Sequence, residues 1–199
     1  MARKVDVSEK IIGAAFKLAA ERGWRDLSLA EIAEAAKLPL SQVYPLFQTK
    51  EAILRAFSRR IDAEVLGDDS LSEDWDDAEG SARDRLFDVM MRRFDALAPY
   101  KPGIGHLLHE RTRDPIGALC SLCQLRRSMA AMLEMARLPS QGPCGAVRLK
   151  GLSAIYLATL RVWLRDETPD MAKTMATLDG YLRRAEGLLR RLPRGARKR

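Results

Sequence analysis

Histidine is nearly missing from this chain: two residues, His106 and His109, in a sequence of 199. A His-based nucleophilic triad therefore has little material. Also missing are a Gly-x-Ser-x-Gly elbow, a phosphate-cradling loop, a dinucleotide fingerprint and the His-Glu-x-x-His spacing of zinc hydrolases, so no enzyme is expected. Cysteine is scarce and odd in number (Cys120, Cys123, Cys144), which argues against a disulfide framework. His106-x-x-His109 and Cys120-x-x-Cys123 hold four potential zinc ligands. Their ten-residue separation fits no standard finger, however, and cysteine in a helix usually serves as a small hydrophobe. Neither metal nor cofactor is expected. No run approaches the roughly 18 apolar residues that a bilayer span needs. Residues 1–10 are mixed and charged, without the apolar centre of a secretory signal. A cytoplasmic protein with no integral membrane contact is the expectation.

What is present is an ordinary globular composition, 47% hydrophobic and 31% charged, with a net charge of +7. The charge is unevenly spread. Residues 1–50 hold eight bases and six acids, residues 67–79 seven acids and no base, and residues 183–199 eight bases and one acid. The excess thus sits in the tail, and net charge alone is a weak pointer to nucleic acid.

The hydrophobic pattern has helical period throughout, and no alternating strand stands out. Ile11, Ile12, Ala15, Phe16 and Ala19 stripe a helix over 8–22, closed by Gly23. Ser28 with Glu31 has capping-box spacing and opens a short helix over 29–36. A second short helix is expected over 40–44, and a longer one over 50–66. The acidic segment 67–79 reads as a linker carrying Trp75. Further helices are expected over 81–97, 104–112, 115–138, 145–165 and 171–192, the last with Thr168 as cap and Pro169 in first position. Residues 193–199 read as a basic disordered tail. The domain reading is a head over 1–66 and a helical body over 67–192.

Two short helices joined by about three residues make a helix-turn-helix, whose second helix enters the DNA major groove. Leu29, Ile32, Ala33, Leu38 and Val43 would lock the pair together. Ser41, Gln42 and Tyr44 would face outward: Gln42 can pair bidentately with adenine, Ser41 can reach a base or phosphate, and Tyr44 suits a phosphate. Lys50, opening the next helix, would hold another phosphate. The run SLAEIAEAAKLPLSQVYPLFQTKEAIL (28–54) resembles the N-terminal domain of the tetracycline-repressor (TetR) family of bacterial regulators. The likeness rests on Ser28-Leu29-x-x-Ile32-Ala33-x-x-Ala36, Tyr44-x-x-Phe47 and Thr49-Lys50-Glu51-Ala52-Ile53-Leu54. It implies an all-α, TetR-like fold with a three-helix head and a ligand-binding, dimerising helical body. Two positions depart from the family pattern. Lys37 stands where Gly is usual, so a residue with a side chain would take a left-handed conformation. Pro45 falls in the last turn of the reading helix and removes a backbone donor.

In the body, residues 151–160 are uncharged on every face, which suits burial on two sides, one of them a second subunit. Gly151, Ala154 and Ala158, with Leu178 and Leu182 of the last helix, are the expected dimer interface. A methionine and aromatic wall made by Phe87, Met90, Met91, Phe94, Met129 and Met132 suits an adaptable pocket for a small apolar effector. The run 148–186 also resembles the C-terminal part of the ubiquinone-biosynthesis lipid-binding proteins, through Val162-Trp163-Leu164, Asp166-x-x-Pro169-Asp170, Thr174 and Leu178-Asp179. Two readings follow. One is a homodimeric repressor released from a double-stranded operator by its effector. The other is a non-enzymatic isoprenoid-binding accessory protein.

Overall fold

The computed structural model describes residues 2–67, 81–111 and 115–191. Among them all regular structure is helical: α1 (Ala2–Arg22), α2 (Leu29–Ala35), α3 (Leu40–Val43), α4 (Lys50–Leu66), α5 (Ala82–Leu97), a 3-10 turn (Ala98–Tyr100), α6 (Lys101–Arg111), α7 (Pro115–Met135), α8 (Gly142–Trp163) and α9 (Ala172–Arg191). The all-α expectation holds. The acidic segment beyond Gly67, with Trp75, and the tail 193–199 lie outside the described residues. No described helix is long and apolar enough to cross a membrane.

Two compact units form, and neither is one stretch of chain. One joins 1–61 with 97–124, the other 62–96 with 125–199. This departs from the expected contiguous boundary at 66, because α6 packs on α1. A Cβ at Gly103 would stand 2.6 Å from the backbone oxygen of Phe16, so the helices meet too closely for any side chain there. Around this contact the stripe Ile11, Ile12, Ala15, Phe16 and Ala19 is buried. Phe16 lies 4.1 Å from Phe57 and 5.4 Å from Tyr100, ring centre to ring centre.

In the second unit Phe94 of α5 stacks on Tyr156 of α8 at 5.6 Å and leans on Trp163 at 5.7 Å. Met90, Met129, Met132, Leu133, Leu178 and Leu182 complete the core. Burying each such side chain contributes roughly 1.5–3 kcal/mol. α8 and α9 lie against each other, joined by a loop that Asp166 organises. Its carboxylate accepts the N–H and hydroxyl of Thr168 (3.2 and 2.6 Å) and those of Thr174 (2.8 and 2.7 Å). These bonds, led by the Thr168 hydroxyl, hold the Asp166 carboxyl well below the usual carboxylate range. They also correct the expected start of the last helix. Thr168 is drawn back to Asp166, Pro169 and Asp170 form a turn, and α9 begins at Ala172, whose N–H still reaches the Thr168 hydroxyl at 3.0 Å.

Candidate nucleic-acid interface

The head is built on the α2–α3 pair. α2 opens with a complete capping box: the Glu31 N–H donates to Ser28 Oγ (3.2 Å), and the Ser28 N–H donates to Glu31 Oε2 (2.8 Å). α2 ends on Lys37, which takes φ +56°, the left-handed conformation that its side chain disfavours. The closure is otherwise regular. The Leu38 N–H reaches the Ala33 oxygen and the Lys37 N–H reaches the Glu34 oxygen, both at 2.9 Å. Ile32, Ala33 and Val43 are buried between the helices. With Val43 turned inward, Ser41, Gln42 and Tyr44 point out; all three are exposed, Tyr44 to 55%. The structure thus brings these three expected reading residues to one solvent-facing surface.

Pro45 acts at the end of α3. Lacking an N–H, it cannot donate to Ser41, and the helix stops after four residues with Tyr44 as its cap. The chain recovers at once, for the N–H groups of Leu46 and Phe47 both return to the Val43 oxygen (3.0 and 2.8 Å).

Lys50 corrects an expectation. Its ammonium donates to the carbonyls of Trp24 (2.9 Å) and Arg25 (2.7 Å), and burial pulls its pKa below the usual lysine value. The side chain is committed to the α1–α2 turn and does not stand free for a phosphate. Sequence spacing gave no hint of this partner, 25 and 26 residues away.

In the second unit the expected ligand wall is core. Met90, Phe94, Met129 and Met132 are fully buried, while Phe87 and Met91 are half-buried. Beside them lies a polar cluster that sequence reading missed. Arg93 of α5, 4% exposed, pairs with Asp62 of α4 and sits over the Tyr156 ring at 5.6 Å. Asp62 Oδ2 also accepts the Ser128 hydroxyl at 2.7 Å. The Arg93 Nε–H and the Thr159 hydroxyl are buried without a hydrogen-bond partner. A 310 Å³ open groove lined by Glu64, Val65, Arg92, Asp95 and Ala96 lies in the same unit.

The expected dimer surface divides. Leu178 and Leu182 are buried within their own unit and are not available to a second chain. Gly151 and Ala154 are exposed and Ala158 is half-exposed, in line with Val147 at 57%. On α9 Arg183, Arg184, Gly187 and Leu188 are exposed, and Gly180 and Tyr181 are half-buried. A Cβ at Gly151 or Gly180 would meet nothing within 4 Å, so nothing inside the chain asks for glycine there. The three cysteines are exposed. Among the described residues no three His, Cys, Asp or Glu side chains gather where they could hold a metal.

Residues 11–57 match the family described as bacterial regulatory proteins, tetR family. No curated protein matches the chain at a significant level. Among solved structures, a TetR transcriptional regulator from Nitrosomonas europaea is similar at TM-score 0.72 and 21% identity, covering 90% of this chain and 98% of its own. A TetR transcriptional regulator from a Rhodococcus species gives 0.58 and 16%, covering 89% and 96%. The TetR family regulator PfmR from Thermus thermophilus gives 0.54 and 20%, covering 87% and 97%. The fold is that of these regulators, with a helix-turn-helix at its N-terminus.

Proposed function

We propose that this chain, a TetR-type transcriptional regulator by its fold and matched head, represses by binding a double-stranded operator as a homodimer. A small apolar effector taken up by the body releases it. The observation that carries the reading is the face of α3: Ser41, Gln42 and Tyr44 exposed together, on a helix anchored from behind by buried Val43. Gln42 has the donor and acceptor for an adenine edge; Ser41 and Tyr44 supply hydroxyls for phosphate or base. The exposed small residues of α8, with unfilled space at Gly151 and Gly180, support a close approach by a second α8–α9 pair. That would bring two heads onto one face of the duplex, about one turn apart. An effector shifts the equilibrium only by binding the DNA-free form better, and bound operator must weaken effector binding by the same factor.

The test is an electrophoretic mobility shift with the DNA flanking the chain's own gene. Gln42→Ala is expected to weaken operator binding by about 1–3 kcal/mol and to relax one base position. No shift at low salt with any flanking fragment would refute the repressor reading. The brevity of α3 favours a second reading, the isoprenoid-binding accessory protein, for which a reading helix is dispensable. A quinone-like lipid retained through purification, with no coupling to DNA, would support it.

A further inference from the structure

The turn between α1 and α2 is held from two sides. Its amides face α6, where Glu110 accepts the Trp24 N–H on both carboxylate oxygens (3.1 and 3.0 Å) and the Arg25 N–H on Oε2 (2.7 Å). The carbonyls of the same two residues take the Lys50 ammonium of α4. Gly23, at φ +85°, makes room for this: a Cβ there would lie 2.1 Å from Glu110 Oε1. The carboxylate occupies space that only glycine leaves. Trp24 itself is buried, 6.1 Å from Phe16. Three residues beyond Arg25, Ser28 caps α2, and α2 carries α3. The tight seat of Gly103 on Phe16 keeps the same helix, α6, against α1.

We propose that Glu110 is a positioning residue for the reading helix. It ties the α1–α2 turn to α6, so that the stance of α2 and α3 follows α6, and withdrawal of the carboxylate unseats the head. The proposal rests on the DNA-binding reading for its purpose, but the latch itself stands on contacts within one unit. A carboxylate suits the task because it has acceptors on both oxygens and no donor. Glutamine of the same size keeps one acceptor and, whichever way its amide is turned, points its NH₂ at the Trp24 N–H, which both carboxylate oxygens accept.

The experiment is backbone amide exchange on the full-length chain, wild type against Glu110→Gln, with DNA affinity measured in parallel. Exchange at Trp24 and Arg25 is expected to quicken at least tenfold. The amides of Ala36 and Tyr44, which close α2 and α3, should follow to a lesser extent, while those of Ile12–Ala19 in α1 stay unchanged. Operator affinity should fall about tenfold, with unaltered affinity for an unrelated duplex at low salt. Glu110→Asp, one methylene shorter, should give an intermediate pattern if the glutamine variant folds poorly. Unchanged exchange at Trp24 and Arg25 overturns the latch. Faster exchange confined to those two amides, with α2 and α3 unaffected, reduces Glu110 to a local cap and overturns the positioning role. The exchange measurement uses no DNA, so it decides the point even if the wild-type chain binds none.

Discussion

Removing the Asp62 carboxylate is the sharpest perturbation available in the second unit. Arg93 is 4% exposed and its Nε–H already lacks a partner. Asp62 supplies the charge that offsets its desolvation and takes the Ser128 hydroxyl on the other oxygen. Asp62→Asn would leave a guanidinium buried without a counter-charge and weaken the bond to Ser128. Breaking a buried pair in this way costs about 3–5 kcal/mol. That is a large part of the 5–15 kcal/mol typical of a folded domain. With a urea slope of about 2–3 kcal/mol per molar, the midpoint should fall by about 1–2.5 M. The double variant Asp62→Leu with Arg93→Met removes both charges together, and replacing a buried pair by apolar groups is often neutral. It should return to within about 1 kcal/mol of wild type. Equilibrium urea unfolding followed by circular dichroism reads both. A midpoint shift under about 0.5 M for Asp62→Asn, or a double variant as unstable as the single, would show that desolvation of Arg93 is not what the pair offsets.

Lys37→Gly relieves a left-handed residue with a side chain and should stabilise the head by about 1 kcal/mol, read as a rise in melting temperature. A fall would mean that the Lys37 side chain contributes more than the strain it imposes. The depressed Asp166 pKa sets a direction with pH. Its contribution is fully present above the unfolded value of about 3.9 and is lost as pH falls through the lower folded value. Asp166→Asn should therefore destabilise at pH 7 and much less in strong acid; an equal loss at both would remove the carboxylate charge from the account. Ala158→Arg places a charge on the half-exposed face of α8, and light scattering should then report monomer mass. A dimer of unaltered mass would count against this face as the interface.

The helices were legible because their apolar positions recur at three and four, and α2 because its cap is written within four residues, Ser28 to Glu31. Lys37 was legible for the opposite reason: a side chain stood where the turn asks for glycine, and the chain adopts the left-handed conformation anyway. What depended on distant partners was not legible. Lys50 looked like a phosphate ligand because its own helix start suits one, whereas its partners lie in a turn that only tertiary packing brings near. Leu178 and Leu182 carried the same periodic signal whether they faced their own core or a second chain. Arg93 and Asp62 stand 31 positions apart, each among other charged residues, and only the packing that buries and pairs them sets them apart. The resemblance to lipid-binding proteins expected from 148–186 found no support among the similar proteins, and three residues that suggested it, Asp166, Thr174 and Trp163, organise a loop and fill a core. Residues kept for such work bear little on ligand identity.

The early end that Pro45 imposes on α3 limits how much sequence information a head can collect. Four helical residues rise about 6 Å, and base pairs stack about 3.4 Å apart. In the dimer proposed above, the helical part of one head would lie over roughly two base pairs, and that of a pair of heads over about four. An address of about four letters recurs every 250 or so base pairs, too often for a genome offering 10⁶ or more competing sites. Most of the selectivity would then have to come from elsewhere: from the fixed separation of the two heads, and from the ease with which the intervening duplex takes the needed width and bend. Such an operator should forgive many single-letter changes, yet fail when one base pair is inserted between its halves.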